Sequence, residues 1–148
     1  MAGQSGDGKI AEGLFTKHLK ELMKDPLWWG HRFPDAGVCM GRVPAQPADY
    51  EVMYDGSAMM LLECKESKSE TRVPASRFTQ TPKMTRFVMA GGLAGFCIYF
   101  RYAKAPYWIF VSLEDAKKVD KSLKVTDEYK RYSDIKDLML DVRKELEG

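Results

Sequence analysis

The chain has 148 residues, 45% hydrophobic and 30% charged, which fits one compact globular domain able to bury a core without staples. A net charge of +2 is too small to identify a polyanion-binding protein by itself, so any basic surface has to come from local clustering. The three cysteines, Cys39, Cys64 and Cys97, are odd in number and form no CxxC pair, which argues against a disulfide framework and a structural zinc site. They read as small buried hydrophobes in a reduced compartment. With no apolar signal core and no membrane-length apolar run, a cytoplasmic setting without membrane contact is expected.

Residues 1–8 read as a flexible tail, and 9–148 as a single domain. From Lys9 to Lys24 the period is helical, with Ile10, Ala11, Leu14, Phe15, Leu19, Leu22 and Met23 on one face and Lys17, Lys20 and Lys24 on the solvated side. Glu12 breaks the rule by projecting between Leu19 and Met23, where a carboxylate costs energy unless something pairs with it. Asp25-Pro26 ends the helix. Leu27 to Phe33 reads as a strand, with Trp28 and Trp29 as core or interface anchors and His31, like His18, as a packed or exposed residue without a catalytic role. Pro34-Asp35-Ala36-Gly37 reads as a turn, and the prolines that follow discourage a strand up to Pro47.

Asp49 to Tyr54 reads as a strand, Asp55-Gly56 as a hairpin turn, and Ala58 to Lys65 as the second arm, buried through Met59–Leu62. Glu66 to Gln80 is polar and irregular. Thr81-Pro82 starts a helix that runs to about Ala90 and stops at Gly91-Gly92. Phe96 to Tyr102 and Tyr107 to Val111 read as strands joined at Ala105-Pro106. Ser112 and Asp115 open a short helix. A charged connector from Lys117 to Ser133 follows, and Ser133 is expected to cap a last helix bearing Ile135, Leu138, Met139, Val142 and Leu146. This order predicts an α/β domain around a small mixed sheet.

The hairpin carries the chemistry. Residues two apart on a strand share a face, so Glu63 and Lys65 point one way and Leu62 and Cys64 the other. The turn at Asp55-Gly56 folds Asp49 back towards Glu63. Two carboxylates and an ammonium then converge at one sheet end. A hard cation such as Mg²⁺ or Mn²⁺ takes oxygen ligands, here Asp49, Glu63, the main-chain carbonyl of Cys64 and, from the first helix, Glu12. Such an ion polarises a phosphodiester and lowers the pKa of a bound water, and Lys65 is suited to orient that water or to stabilise developing charge.

Ala48-Asp49-Tyr50 followed by Leu62-Glu63-Cys64-Lys65-Glu66-Ser67 resembles the active-site hairpin of the PD-(D/E)XK nucleases. Within them it is most similar to Holliday junction resolvases of the RecU-like and archaeal-resolvase-like kind, phage-encoded members included. Gly8-Lys9-Ile10-Ala11-Glu12 resembles their opening helix with its acidic metal-site residue, Phe78 and Gln80 stand where the RecU-like proteins have a phenylalanine and a glutamine, and Gly95-Phe96-Cys97-Ile98-Tyr99-Phe100 resembles their later strand. The likeness covers roughly residues 8–112. It implies a restriction-endonuclease-like core with one or two metal ions per site. Asp49, Glu63, Lys65 and Gln80 would be catalytic, Gln80 positioning the scissile phosphate or water. A homodimer would make paired cuts in branched double-stranded DNA. Here the proline stands two residues before Asp49, Pro34-Asp35 offers a rival first carboxylate in a turn, and no equivalent of the RecU stalk is evident.

Between Lys65 and Arg86 stand Lys65, Lys68, Arg72, Arg77, Lys83 and Arg86 against Glu66 and Glu70, six basic against two acidic and a local excess of +4. Lys68, Arg72, Arg77, Lys83 and Arg86 are therefore the expected phosphate contacts. Two rival readings stay open: a restriction-like or homing endonuclease on the same fold, since fold does not set substrate, and a DNA-binding module without catalysis.

Overall fold

The computed structural model describes residues 9–33, 48–56, 59–79 and 81–147. The elements are α1 (Lys9–Leu22), β1 (Trp28–Arg32), β2 (Tyr50–Tyr54), β3 (Met60–Ser67), β4 (Arg72–Pro74), a 3-10 turn (Ala75–Arg77), α2 (Thr81–Met89), β5 (Leu93–Phe100), β6 (Tyr107–Ser112), α3 (Leu113–Lys117), β7 (Ser122–Lys124) and α4 (Ile135–Glu147). The expected tail, the turn at 34–37, the segment up to Pro47, Cys39 and Gln80 lie outside the described residues.

Five strands form a mixed sheet in the order β1-β2-β3-β5-β6. β1, β2 and β3 are antiparallel neighbours, β3 and β5 run parallel, and β6 returns antiparallel. The parallel step needs a crossover, and α2 lies within it. β3 is the central strand and seven of its eight residues are buried, because helices cover both of its faces. Met60, Leu62 and Cys64 join Ala11, Phe15 and Leu19 of α1 and Ile135, Leu138 and Met139 of α4 in one cluster. Leu61 joins Met84 of α2, Phe96 and Ile98 of β5 and Leu113 of α3 in the other. α1 sits close to β1: a Cβ on Gly30 would come within 2.6 Å of Leu19 Cδ1.

The hairpin turn follows from its residues. Asp55 and Gly56 both take positive φ, 43° and 74°, the left-handed pair that matches the twist of the flanking strands and that Asp-Gly tolerates best. α2 ends as its glycines require. Gly91, at φ 105°, donates to the Val88 carbonyl, and Gly92 to that of Phe87.

Four expectations need correction. Ile10 and Met23 are exposed; they lie at the margins of the α1 stripe, where the sheet does not reach. The polar stretch from Glu66 and the charged connector from Lys117 are not wholly irregular, because β4 and β7 pair across them in a separate two-stranded sheet. Its core side is carried by Val73 and Leu123 alone, too few apolar positions to show alternation. The cap of α4 is Asp134, whose carboxylate accepts from the Asp137 N–H at 3.0 Å, one residue after the expected Ser133. Trp29, finally, is 46% exposed, whereas Trp28 is 5%. The cap of α3 stands as expected, Ser112 Oγ accepting from the Asp115 N–H at 3.1 Å. Among the described residues no helix is long and apolar enough to cross a membrane.

Candidate active site

Strand register brings the predicted carboxylates together. Tyr50 pairs with Leu62, so Asp49, one step earlier, stands across from Glu63, one step later. The Phe33 N–H donates to the Asp49 carbonyl at 2.8 Å, which continues the β1–β2 register by one rung. Glu63 in turn pairs with Phe96. A single row therefore crosses the sheet as Phe33, Asp49, Glu63 and Phe96. All four side chains belong to the α2 face, the one shared by Leu61 and Phe96. Two carboxylates are thus held side by side between two phenylalanines.

That setting governs their protonation. Glu63 is 5% exposed. Burial, then repulsion from Asp49, pushes its carboxyl up to about 7, against the opposing pull of Lys65. Burial also raises Asp49 to about 6, although the hydrogen bond from Cys64 and the charge of Lys65 oppose it. One of the Glu63 oxygens, Oε2, is buried with no hydrogen-bond partner among the described residues. A carboxylate oxygen left so costs free energy in the ligand-free fold.

The surrounding groups hold the pair in place. The Cys64 N–H donates to Asp49 Oδ2 at 2.8 Å. β2 stops pairing with β3 at Tyr50–Leu62, so the main-chain groups of Cys64 on that edge lie beyond the ladder. In an extended strand the N–H and C=O of one residue face the same edge, which aims the Cys64 carbonyl towards Asp49. Lys65 Nζ lies 3.4 Å from Glu63 Oε1 and donates to Thr79 Oγ1 at 3.4 Å. Glu12 approaches from α1. Its Oε2 accepts from Arg32 Nη2 at 3.1 Å, and its charge raises both Asp49 and Glu63. Tyr50 fixes its height: the buried hydroxyl donates to the Glu12 carbonyl at 3.0 Å and lies 2.6 Å from Thr16 Oγ1.

Arg32 and Tyr50 escaped the sequence reading. Arg32 gave a signal in retrospect, as the cation that an inward Glu12 requires. Tyr50 gave none, because a tyrosine beginning a strand is ordinary.

The donor set suits a hard divalent cation. Asp49 and Glu63 present carboxylates on neighbouring strands, Glu63 Oε2 has no hydrogen-bond partner among the described residues, and strand geometry turns the Cys64 carbonyl to the same edge. Among the described residues no three His, Cys, Asp or Glu side chains group as a metal cage; Glu12 is engaged by Arg32 instead. Mg²⁺ accepts such a site, since it keeps several waters and needs only one or two carboxylates. Burial raises the thiols of Cys64 and Cys97, which makes them poor thiolate ligands.

The predicted phosphate contacts divide in two. Lys68, Arg72 and Arg77 line one cleft of about 330 Å³ beyond the end of β3, together with Ser67, Ser69, Pro74 and Ser122. Arg72 Nη1 donates to Ser122 Oγ at 3.4 Å there. Lys83 and Arg86 lie on the exposed side of α2. Phe78, expected near the site, packs edge-on against Phe96 with ring centroids 5.0 Å apart.

No protein-family model matches the chain, and no curated protein matches it by sequence. In fold the chain is similar to a solved structure, that of Archaeoglobus fulgidus Hjc, a Holliday junction resolvase from an archaeal hyperthermophile, at 20% identity and a TM-score of 0.54 over 79% of this chain and 88% of that one. The β1-β2-β3-β5-β6 sheet with helices on both faces is therefore a restriction-endonuclease-like fold of the kind seen in Hjc.

Proposed function

We propose that the chain is a metal-dependent endonuclease that cuts branched double-stranded DNA, four-way junctions above all, at the Asp49–Glu63–Lys65 site. The observation that carries the reading is the placement of Asp49 across from Glu63 on adjacent strands, with a buried Glu63 oxygen that has no hydrogen-bond partner among the described residues. The likeness to a resolvase fold supports it, and so does the basic cleft at the end of the same strand.

Asp49, Glu63 and the Cys64 carbonyl would hold Mg²⁺ or Mn²⁺, one ion or two, with Glu12 in reserve behind Arg32. When bound, the ion polarises the phosphodiester and lowers the pKa of a coordinated water. The residues supply the rest. Asp49 and Glu63 fix the position of the charge. Lys65, already paired with Glu63, faces the scissile phosphate as a cation, orients the attacking water and stabilises the charge that develops on the phosphate oxygens. The water oxygen gives up a proton to solvent as it forms a bond to phosphorus, one P–O ester bond breaks, and the departing alkoxide takes up a proton from solvent. Gln80 would position the phosphate or water. Lys68, Arg72, Arg77, Lys83 and Arg86 would hold the flanking backbone. Paired cuts on two strands call for two sites related by symmetry, which a homodimer supplies.

The test is cleavage of a synthetic four-way junction and a matching linear duplex, with Mg²⁺ and with chelator. The expected result is paired nicks in the junction alone, dependent on metal and lost in Lys65→Ala. Cutting of the duplex at a fixed sequence would move the protein to the restriction or homing class. Cutting of neither would leave a binding module.

A further inference from the structure

The row that holds the carboxylates continues along β1 as a line of aromatic rings. Trp29, His31 and Phe33 alternate along the strand and so share one face, the α2 face that also carries Asp49 and Glu63. The Trp29 and His31 centroids are 5.9 Å apart, and those of His31 and Phe33 are 5.2 Å. Phe33 sits beside Asp49 through its N–H bond to the Asp49 carbonyl. At the other end Trp29 is 46% exposed, and His31 is exposed between them.

We propose that this Trp29–His31–Phe33 line is a stacking platform for bases unstacked at the branch of the DNA that enters the Asp49–Glu63 site. The inference rests on the nuclease reading above and names how that site selects branched over regular DNA.

Three observations choose this occupant. The first is place: the line starts at the catalytic row and leads outwards on the same face. The four residue steps from Trp29 to Phe33 span about 13 Å, or about four nucleotide steps at a stacked rise of ~3.4 Å. The second is charge. The face of β1 and β2 here consists of Trp29, His31, Phe33, Asp49, Glu51 and Met53, without a Lys or Arg, and Glu51 stands directly across from His31. A phosphate is disfavoured at that height, whereas a neutral planar base is accommodated, so the backbone is left to Lys68, Arg72 and Arg77. The third is size. An aromatic side chain buries about 150–250 Å² at most, and these three are already part-covered. That falls short of the ~800 Å² per partner of a stable protein interface. Bases in an intact duplex are stacked on both sides, whereas at a branch point the last pair of an arm that has lost its stacking neighbour presents a base face to a ring, and base–aromatic stacking tolerates any sequence.

The test uses the full chain in chelator, so that nothing is cut. Trp28 and Trp108 are 5% and 1% exposed, which leaves Trp29 as the tryptophan a ligand can reach among the three in the chain. An oligothymidylate and a four-way junction are expected to quench its fluorescence, and a blunt duplex to do so far less. Measured by anisotropy with labelled DNA, Trp29→Ala should weaken junction binding by about 5- to 150-fold, the range for losing one stacked base. Trp29→Phe should recover most of it, and blunt-duplex affinity should stay within ~2-fold. Circular dichroism checks that both variants fold. Equal affinities for junction in wild type and Trp29→Ala would overturn the platform, as would a loss that is equal on junction and duplex. A change of sedimenting mass in Trp29→Ala without DNA would assign the patch to a protein partner instead. The two readings separate cleanly. If wild type cuts the junction with Mg²⁺ while Trp29→Ala binds it normally, the nuclease stands and the platform falls. If Trp29 governs binding but no metal restores cutting, the platform stands and the nuclease falls. Absence of any DNA binding by wild type removes both.

Discussion

Asp49 and Glu63 illustrate how a site can work against the fold that carries it. Both carboxyls are raised, to about 6 and about 7, so the folded chain holds protons that the unfolded chain releases near pH 4. Between those values the native state binds more protons, and stability falls as pH rises. In chelator the melting temperature is therefore expected to drop from pH 5 to pH 8. Saturating Mg²⁺ should remove most of that drop, because the cation offsets the repulsion that protons otherwise relieve. Melts at the two pH values with and without metal check this; a chelator curve that rises over the window would mean the carboxylates are solvated. Glu63→Gln should raise the metal-free melting temperature at pH 8 by about 3 °C, on the order of 1 kcal/mol, while abolishing cleavage. Asp49→Ala should also abolish cleavage and leave junction binding largely intact, since the basic cleft is untouched. Glu12 tests a finer point. Its carboxylate is held by Arg32, so Glu12→Gln should act through the metal, raising the Mg²⁺ concentration for half-maximal cutting about 10- to 100-fold with the substrate KM little changed. An unchanged metal requirement would reduce the Glu12–Arg32 pair to a structural tie.

At the level of elements, what could be read from sequence was what local chemistry dictates. Asp55-Gly56 demanded two left-handed residues and received them; the turn reverses the chain, and the register set by Tyr50–Leu62 brings Asp49 beside Glu63. The apolar run Met59–Leu62 marked a central strand, and Gly91-Gly92 stopped α2. Features that depend on distant partners were not legible. β4 and β7 pair Arg72 with Lys124 across the chain, and three-residue strands with one buried side chain each show no period. The parallel pairing of β3 with β5 was equally hidden, since it rests on a crossover. The cap of α4 was misplaced by one residue because Ser133 and Asp134 are both good caps, and only geometry separates them. That difference is measurable: Asp134→Ala should cost about 1 kcal/mol of stability, whereas Ser133→Ala should stay within about 0.5 kcal/mol. Chemical denaturation of the two variants decides, and the reverse order would restore the sequence-based assignment.

For the whole molecule, a net charge of +2 says little about DNA, and the arrangement of the charges says more. Lys68, Arg72 and Arg77 stand within ten consecutive residues, in a bend, a short strand and a 3-10 turn, and line one cleft at the end of β3. Lys17, Lys20 and Lys24 are just as basic but exposed along α1 or just beyond its end, whose buried side packs away on the opposite face of the sheet. Counterion release distinguishes the two groups. Each phosphate neutralised contributes about 0.9 to the slope of log affinity against log salt on duplex DNA. Replacing Lys68, Arg72 and Arg77 by alanine together should therefore flatten that slope by about 3 and weaken binding to junctions of any sequence alike. The same replacement of Lys17, Lys20 and Lys24 should leave the slope unchanged within about 0.5. Binding isotherms in chelator from low to moderate salt provide the slopes. A flattening with the α1 lysines instead would place the DNA on the α1 face, away from Asp49 and Glu63. That result would detach the carboxylate pair from the nucleic acid altogether, whatever the fold resembles.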